Sequence, residues 1–396
     1  MYKRSFFVIS FLTMCCIAEG KNTSTSITYR KTASLTKSQH YKSGFVTAII
    51  APAINYVDWS NPRALIKTFG IGGVKKSLAK TLMNLKGTSM GHGMAQVSCT
   101  GTDGKKHDFM TGMVGTEDID MYKDAVFKDG LGMRVLFDAF DDGYLQDTED
   151  VKNYIANFRG RKIHDTKLNK KRLNDVRYLR FAINSQQCDD AVDFYNTFKS
   201  ISFMQPKDRN LRRSIAPEQS LYYGLLLEPY DLYLQHKVGA QVKLGGGCTS
   251  VMTAFLRSTG VYERLDSNFL DEKFYKQLIV GRHLLGGYDE VENTNRKVPL
   301  QKYFFSKLGS SWGADTPYAY NLKWYDPEQI WRFFDGAYEC QQVKEGRMSM
   351  EEVHDTCTPE IMDWLSKNSY KGNTYDFLFF KDHNGKDRHV NGVTFY

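Results

Sequence analysis

Apolar positions along the chain change period several times, and each change predicts an element. The run Phe45 to Ile54 is apolar almost throughout and predicts a strand or a short buried helix. From Pro62 to Lys86, Leu65, Ile66, Phe69, Leu78, Leu82 and Leu85 fall at helical spacing, broken at Gly70-Ile71-Gly72-Gly73, which predicts two helices. After Gly91 the period drops to two. Met94, Gln96 and Ser98 alternate with Ala95, Val97 and Cys99, Thr100 to Gly104 supplies turn chemistry, and His107 to Val114 returns as the second strand of a hairpin. Helical spacing over Asp147 to Phe158 and over Gln187 to Ile201 brackets a strand pattern at Arg177 to Ile183.

After Leu221 to Leu227 a loop ends in Gly245-Gly246-Gly247-Cys248, and Thr249 to Thr259 reads as a short buried helix closed by Gly260. Beyond residue 266 the texture shifts. Trp312, Trp324, Trp331 and Trp364 lie there, with helices expected over Asp326 to Lys344 and from the Thr358-Pro359 start signal. The alternation predicts an α+β protein. It comprises a domain over 45–265 and a smaller helical, aromatic-rich C-terminal lobe over 266–396, preceded by a flexible Ser/Thr/Lys-rich leader at 21–44.

The first 20 residues have their own pattern. Lys3 and Arg4 precede an apolar stretch, Phe6 to Ile17, and the small residues of Ala18-Glu19-Gly20, as in a cleavable secretory signal. Cys15 and Cys16 raise a lipoprotein alternative, which Met14 before Cys15 disfavours. No later segment has the apolar run of about twenty residues that a membrane helix needs. A secreted or periplasmic chain of about 376 of the 396 residues is expected, and its net charge of +8 falls to +7 without Lys3, Arg4 and Glu19. So mild a charge, its basic cluster Lys162 to Arg180 interrupted by Asp and apolar residues, argues for a solvated face and against nucleic acid. Peptidoglycan or another envelope substrate is the expected partner, with peripheral membrane contact left open.

Export changes what the cysteines mean. Five remain after the signal, an odd number where thiols pair: Cys99, Cys188, Cys248, Cys340 and Cys357. Cys340 and Cys357 flank a helix hairpin and are the first candidate pair. Cys99 and Cys188 are the next, connectivity staying open at the sequence level. That assignment leaves Cys248, a thiol in the first turn of a helix, where the macrodipole favours thiolate. The glycines before it offer free backbone N–H groups for an oxyanion. A cysteine nucleophile needs an imidazole in reach, and His92, opening a strand just after Gly91, is the best placed. His107, Asp108 and Thr111 on the partner strand are candidates to orient it.

Gly247-Cys248-Thr249-Ser250 together with Gly91-His92 resembles the NlpC-type papain-like hydrolases. The histidine precedes the cysteine by 156 residues, and this order is similar to the circularly permuted branch that includes lecithin-retinol acyltransferase-like proteins. The resemblance covers residues 45 to 262. It implies a cysteine helix packed on an antiparallel sheet, and a thioacyl-enzyme route on an amide or ester with Cys248 as nucleophile and His92 as proton shuttle. It also implies a third polar residue about one hairpin later, for which His107, 15 residues on, is the nearest match.

Other chemistries fit less well. Gly87-Thr88-Ser89-Met90-Gly91 matches a G-x-S-x-G nucleophile elbow with Asp382 and His389 as late partners, but the helical pattern precedes the serine and the strand pattern follows it, the reverse of the required order. A non-catalytic binding protein using the aromatic last third is the other alternative, although aromatics spaced like Trp331 and Phe334 belong more often to a core. No HExxH or paired CxxC is present and Gly70 to Gly73 lacks phosphate-loop spacing, so no metal or cofactor is expected.

Overall fold

The computed structural model describes residues 43–53, 91–114, 144–165, 169–201, 229–239, 247–265, 272–279, 319–368, 373–382 and 384–396. The expected signal, most of the leader, the helices of Pro62 to Lys86 and Ser89 lie outside the described residues. Residues 40–396 form one compact unit.

At its centre stands β1, Gly44–Ala51, the first apolar run. Val46, Ala48 and Ile50 bury into one core cluster and Ile49 and Ala51 into another. A strand buried on both faces reads as a continuous apolar run rather than an alternating one. It pairs antiparallel with β2, His92–Thr100, on one side and with β7, Arg177–Ile183, on the other. β2 turns through Gly104, at φ 80°, into β3, Lys106–Val114, whose last residues pair with the two-residue β4, Tyr144–Leu145. Beyond β7 come β11, Asp387–Phe395, and β10, Asn373–Lys381, giving the order β10-β11-β7-β1-β2-β3-β4. The β7–β11 pair is parallel, so the sheet is mixed rather than antiparallel.

Among the described residues, five helices pack over one face: α2, Ser185–Ile201; α3, Pro229–Lys237; α4, Cys248–Ser258; α5, Pro327–Lys344; and α6, Pro359–Lys367. The other face carries α1, Thr148–Asn157, whose Val151 and Ile155 bury with Met94 and Tyr178. Two antiparallel strand pairs, β5–β6, Lys162–Asp165 with Lys170–Leu173, and β8–β9, Glu272–Ile279 with Ala319–Tyr325, and a 3-10 turn at Tyr262–Arg264 complete the described elements. Val251, Met252, Phe255 and Leu256 make α4 central, each fully buried side chain contributing about 1.5–3 kcal/mol.

The α+β class is as expected, but the separate helical C-terminal lobe is not found. α5 and α6 are present, yet β10 and β11 extend the central sheet. Tyr375, Phe377 and Phe379 alternate with Leu378 and Phe380, so both faces of β10 are apolar and the strand shows no period of two.

Disulfides join Cys99 to Cys188 and Cys340 to Cys357, and Cys248 is free and buried. Two such bonds fit an oxidising, extracellular compartment. Among the described residues no helix is long and apolar enough to cross a membrane.

Candidate active site

Gly247, extended at φ −75° and ψ 166°, caps α4 without a side-chain hydrogen bond, which places Cys248 in the helix's first turn. β2 crosses this turn so closely that a Cβ on Gly93 would sit 2.9 Å from Thr249 Cα, and only glycine allows that approach. The backbone N–H groups of Gly93, Thr249 and Cys248 itself converge on the thiol.

His92 is the residue before Gly93 and takes the opposite face, that of Met94 and α1. Its Nε2 lies 2.8 Å from Gln146 Oε1. An amide oxygen only accepts, so Nε2 carries the proton and Nδ1 keeps the lone pair. Gln146 is itself fixed: its N–H donates to Gly112 O at 2.9 Å and its carbonyl accepts from Thr111 Oγ1 at 3.0 Å. Gly112 leaves the room, since a Cβ there would meet Gln146 Oε1 at 2.7 Å and His92 Nε2 at 3.3 Å. One residue on, Asp147 begins α1 through a capping box with Asp150, and the helix brings the Tyr154 ring to 4.5 Å from the imidazole. The Tyr154 hydroxyl is buried without a hydrogen-bond partner among the described residues and interacts electrostatically with Cys248.

These groups meet where the sheet opens. Pairing between β2 and β3 ends at Met94 and Gly112, while Gly93 and His92 continue only along β1. At this end the thiol comes from the helical face, and the imidazole, Gln146 and Tyr154 from the other.

Burial dominates the electrostatics. It pushes the His92 imidazole down to about 4 against the opposing pull of the Gln146 hydrogen bond. It pushes the Cys248 thiol up, the three N–H groups offsetting part of the shift, and it raises the Tyr154 phenol. At neutral pH the resting pair is thiol and neutral imidazole. The thiolate expected at a helix start is therefore not the resting state. A helix terminus supplies about 0.3–1 kcal/mol, whereas each pKa unit of desolvation costs about 1.4 kcal/mol.

His107 does not belong to this constellation. It pairs with Cys99, seven residues along β2 from His92, or roughly 23 Å at ~3.3 Å per residue. Asp108 is exposed near Gln96, and Thr111 reaches the site only by holding Gln146. Asp382, proposed for the serine alternative, is spent on the β10–β11 turn, accepting from Asn384, Lys386 and Arg388, while His389 lies exposed beside Phe377 and Phe379. Gln146 and Tyr154 escaped the sequence reading. The 31 residues between Val114 and Gln146 hide their relation to the hairpin, and the one local signal was the capping box at Asp147.

Among the described residues no group of three or more His, Cys, Asp or Glu is placed to hold a metal ion. Neither the protein-family models nor the curated proteins nor the solved structures contain a match to the chain.

Proposed function

We propose that the protein is an exported cysteine hydrolase or acyltransferase of the permuted papain-like type, acting on an amide or ester bond of envelope material, with peptidoglycan peptides as the first choice of substrate. The observation that carries this reading is the convergence of three backbone N–H groups on the Cys248 thiol, one of them from Gly93, the neighbour in sequence of an imidazole whose protonated nitrogen is set by Gln146. In the proposed reaction Cys248 Sγ attacks the carbonyl carbon while its proton passes to His92 Nδ1. The developing oxyanion is held by N–H groups of Gly93 and the helix start. The bond to the leaving amine or alcohol then breaks, the leaving group takes the proton from His92, and water or an acceptor cleaves the thioester. A neutral resting pair suits this route, because His92 enters as a base.

A non-catalytic binding role is the second reading. The near-complete burial of Cys248 and His92, at 7% and 3% exposure, favours it. A thiol-directed acyl probe separates the two. Labelling of the wild type that disappears in Cys248→Ala supports catalysis. Labelling that persists in that variant counts against it, and labelling at Ser89 promotes the serine alternative.

A further inference from the structure

We infer that the segment Tyr325 to Glu328 braces the nucleophile and the base against each other, with Glu328 as a positioning residue, an inference that rests on the catalytic reading of Cys248 and His92. The segment joins the end of β9 to the start of α5 and touches both catalytic elements. On the cysteine side, Thr249, the residue after the nucleophile, donates from Oγ1 to the Tyr325 carbonyl at 3.1 Å, and Arg257, about two turns along the same helix, donates to the Tyr325 hydroxyl at 3.0 Å. On the histidine side, Gly91, the residue before the base, sits at φ 85°, and a Cβ there would come within 2.6 Å of Pro327 Cβ.

Glu328 locks the second contact. It is 2% exposed, pairs with Arg161 Nη2 at 2.6 Å and lies 3.7 Å from Arg332 Nε. The backbone N–H of Ala53, two residues past Ala51, the β1 partner of His92, also favours the charge on this carboxylate. One turn further, Trp331 Nε1 donates to Asp175 O at 2.6 Å and seats α5 on the chain entering β7. The carboxylate therefore fixes the end of β1, β1 fixes the start of β2, and His92 is placed relative to a helix whose own start hangs from Tyr325. A charge buried with its partner serves geometry here, since an apolar pair would give comparable stability.

Glu328→Gln keeps the volume and an acceptor for Ala53 while removing the charge that holds Arg161. In the full-length protein its Cys248 acylation rate should fall between about tenfold and a hundredfold, the range that small misplacements of reacting groups produce. The loss should appear in kcat with KM unchanged, and the His92 imidazole NMR resonances should shift. Thr249→Val, which removes only the Tyr325 contact, should show the same pattern more weakly and serves if Glu328→Gln does not fold. Folded variants that keep wild-type rates and unshifted His92 resonances overturn the inference. If the wild type never acylates but the resonances move in Glu328→Gln, the brace stands and the catalytic reading fails.

Discussion

Two buried polar clusters share this fold and differ in how their groups are satisfied. In the first, Asp335 and Glu339, one turn apart on α5, have all four carboxylate oxygens partnered. Arg177 Nε donates to Asp335 at 2.8 Å, the His354 ring and main chain serve Glu339, and the Thr356 hydroxyl bridges the two at 3.1 and 3.0 Å. Arg177 also stacks over Tyr338 at 4.7 Å, and the Cys340–Cys357 disulfide closes the loop that delivers His354 and Thr356. In the second, at the open end of β2, three N–H groups face a neutral thiol and the Tyr154 hydroxyl has no hydrogen bond among the described residues. Buried polar groups in native proteins are ordinarily paired. A filled network holds structure, while N–H groups gathered on a neutral thiol can serve a developing charge better than they serve the resting state.

The contrast predicts different costs for comparable changes. Asp335→Ala strands the Arg177 guanidinium in the core and should remove about 3–5 kcal/mol of stability in urea unfolding. Labelling of Cys248 per folded molecule should stay at the wild-type level.

Acid should act through the other cluster. The folded protein holds His92 at about 4 against an ordinary 6.5, so between these values the unfolded chain binds the proton and the folded one does not. Stability therefore falls as pH drops from about 6.5 to about 4, by up to about 3 kcal/mol from this group. Unfolding of wild type and His92→Asn compared across that range isolates the contribution, and equal slopes would refute it. The smallest effect is expected at Gln146→Ala, which leaves the His92 N–H without its acceptor. It should cost about 1–3 kcal/mol and slow Cys248 labelling. Stability lost with labelling untouched would make Gln146 a structural residue alone.

Local pattern carried much of this into the sequence. Arg177 to Ile183 is a strand over the residues expected, and α4 begins one residue before the expected helix. Both disulfides follow the favoured pairing. Where pattern failed, the cause was contact between distant segments. His107 shares a hairpin with His92 but sits at its far end, because hairpin partners diverge in space as fast as in sequence. The residue that orients His92 arrives instead from β4 and α1. The C-terminal hairpin carried a turn signal in Asn384-Gly385, with Gly385 at φ 72°, but the aromatics on both faces of β10 concealed the strand. For Cys248 the helix position, which favours thiolate, is visible in the sequence, whereas the burial that raises the thiol is not.

The most direct test of the paired roles of Cys248 and His92 is mass spectrometry of the acyl-enzyme, trapped with an activated ester of a short peptide. The account predicts a thioester on the Cys248 peptide of the wild type that is absent from Cys248→Ala and strongly reduced in His92→Ala. Turnover of the ester with no adduct on Cys248, at a rate that Cys248→Ala retains, would contradict it.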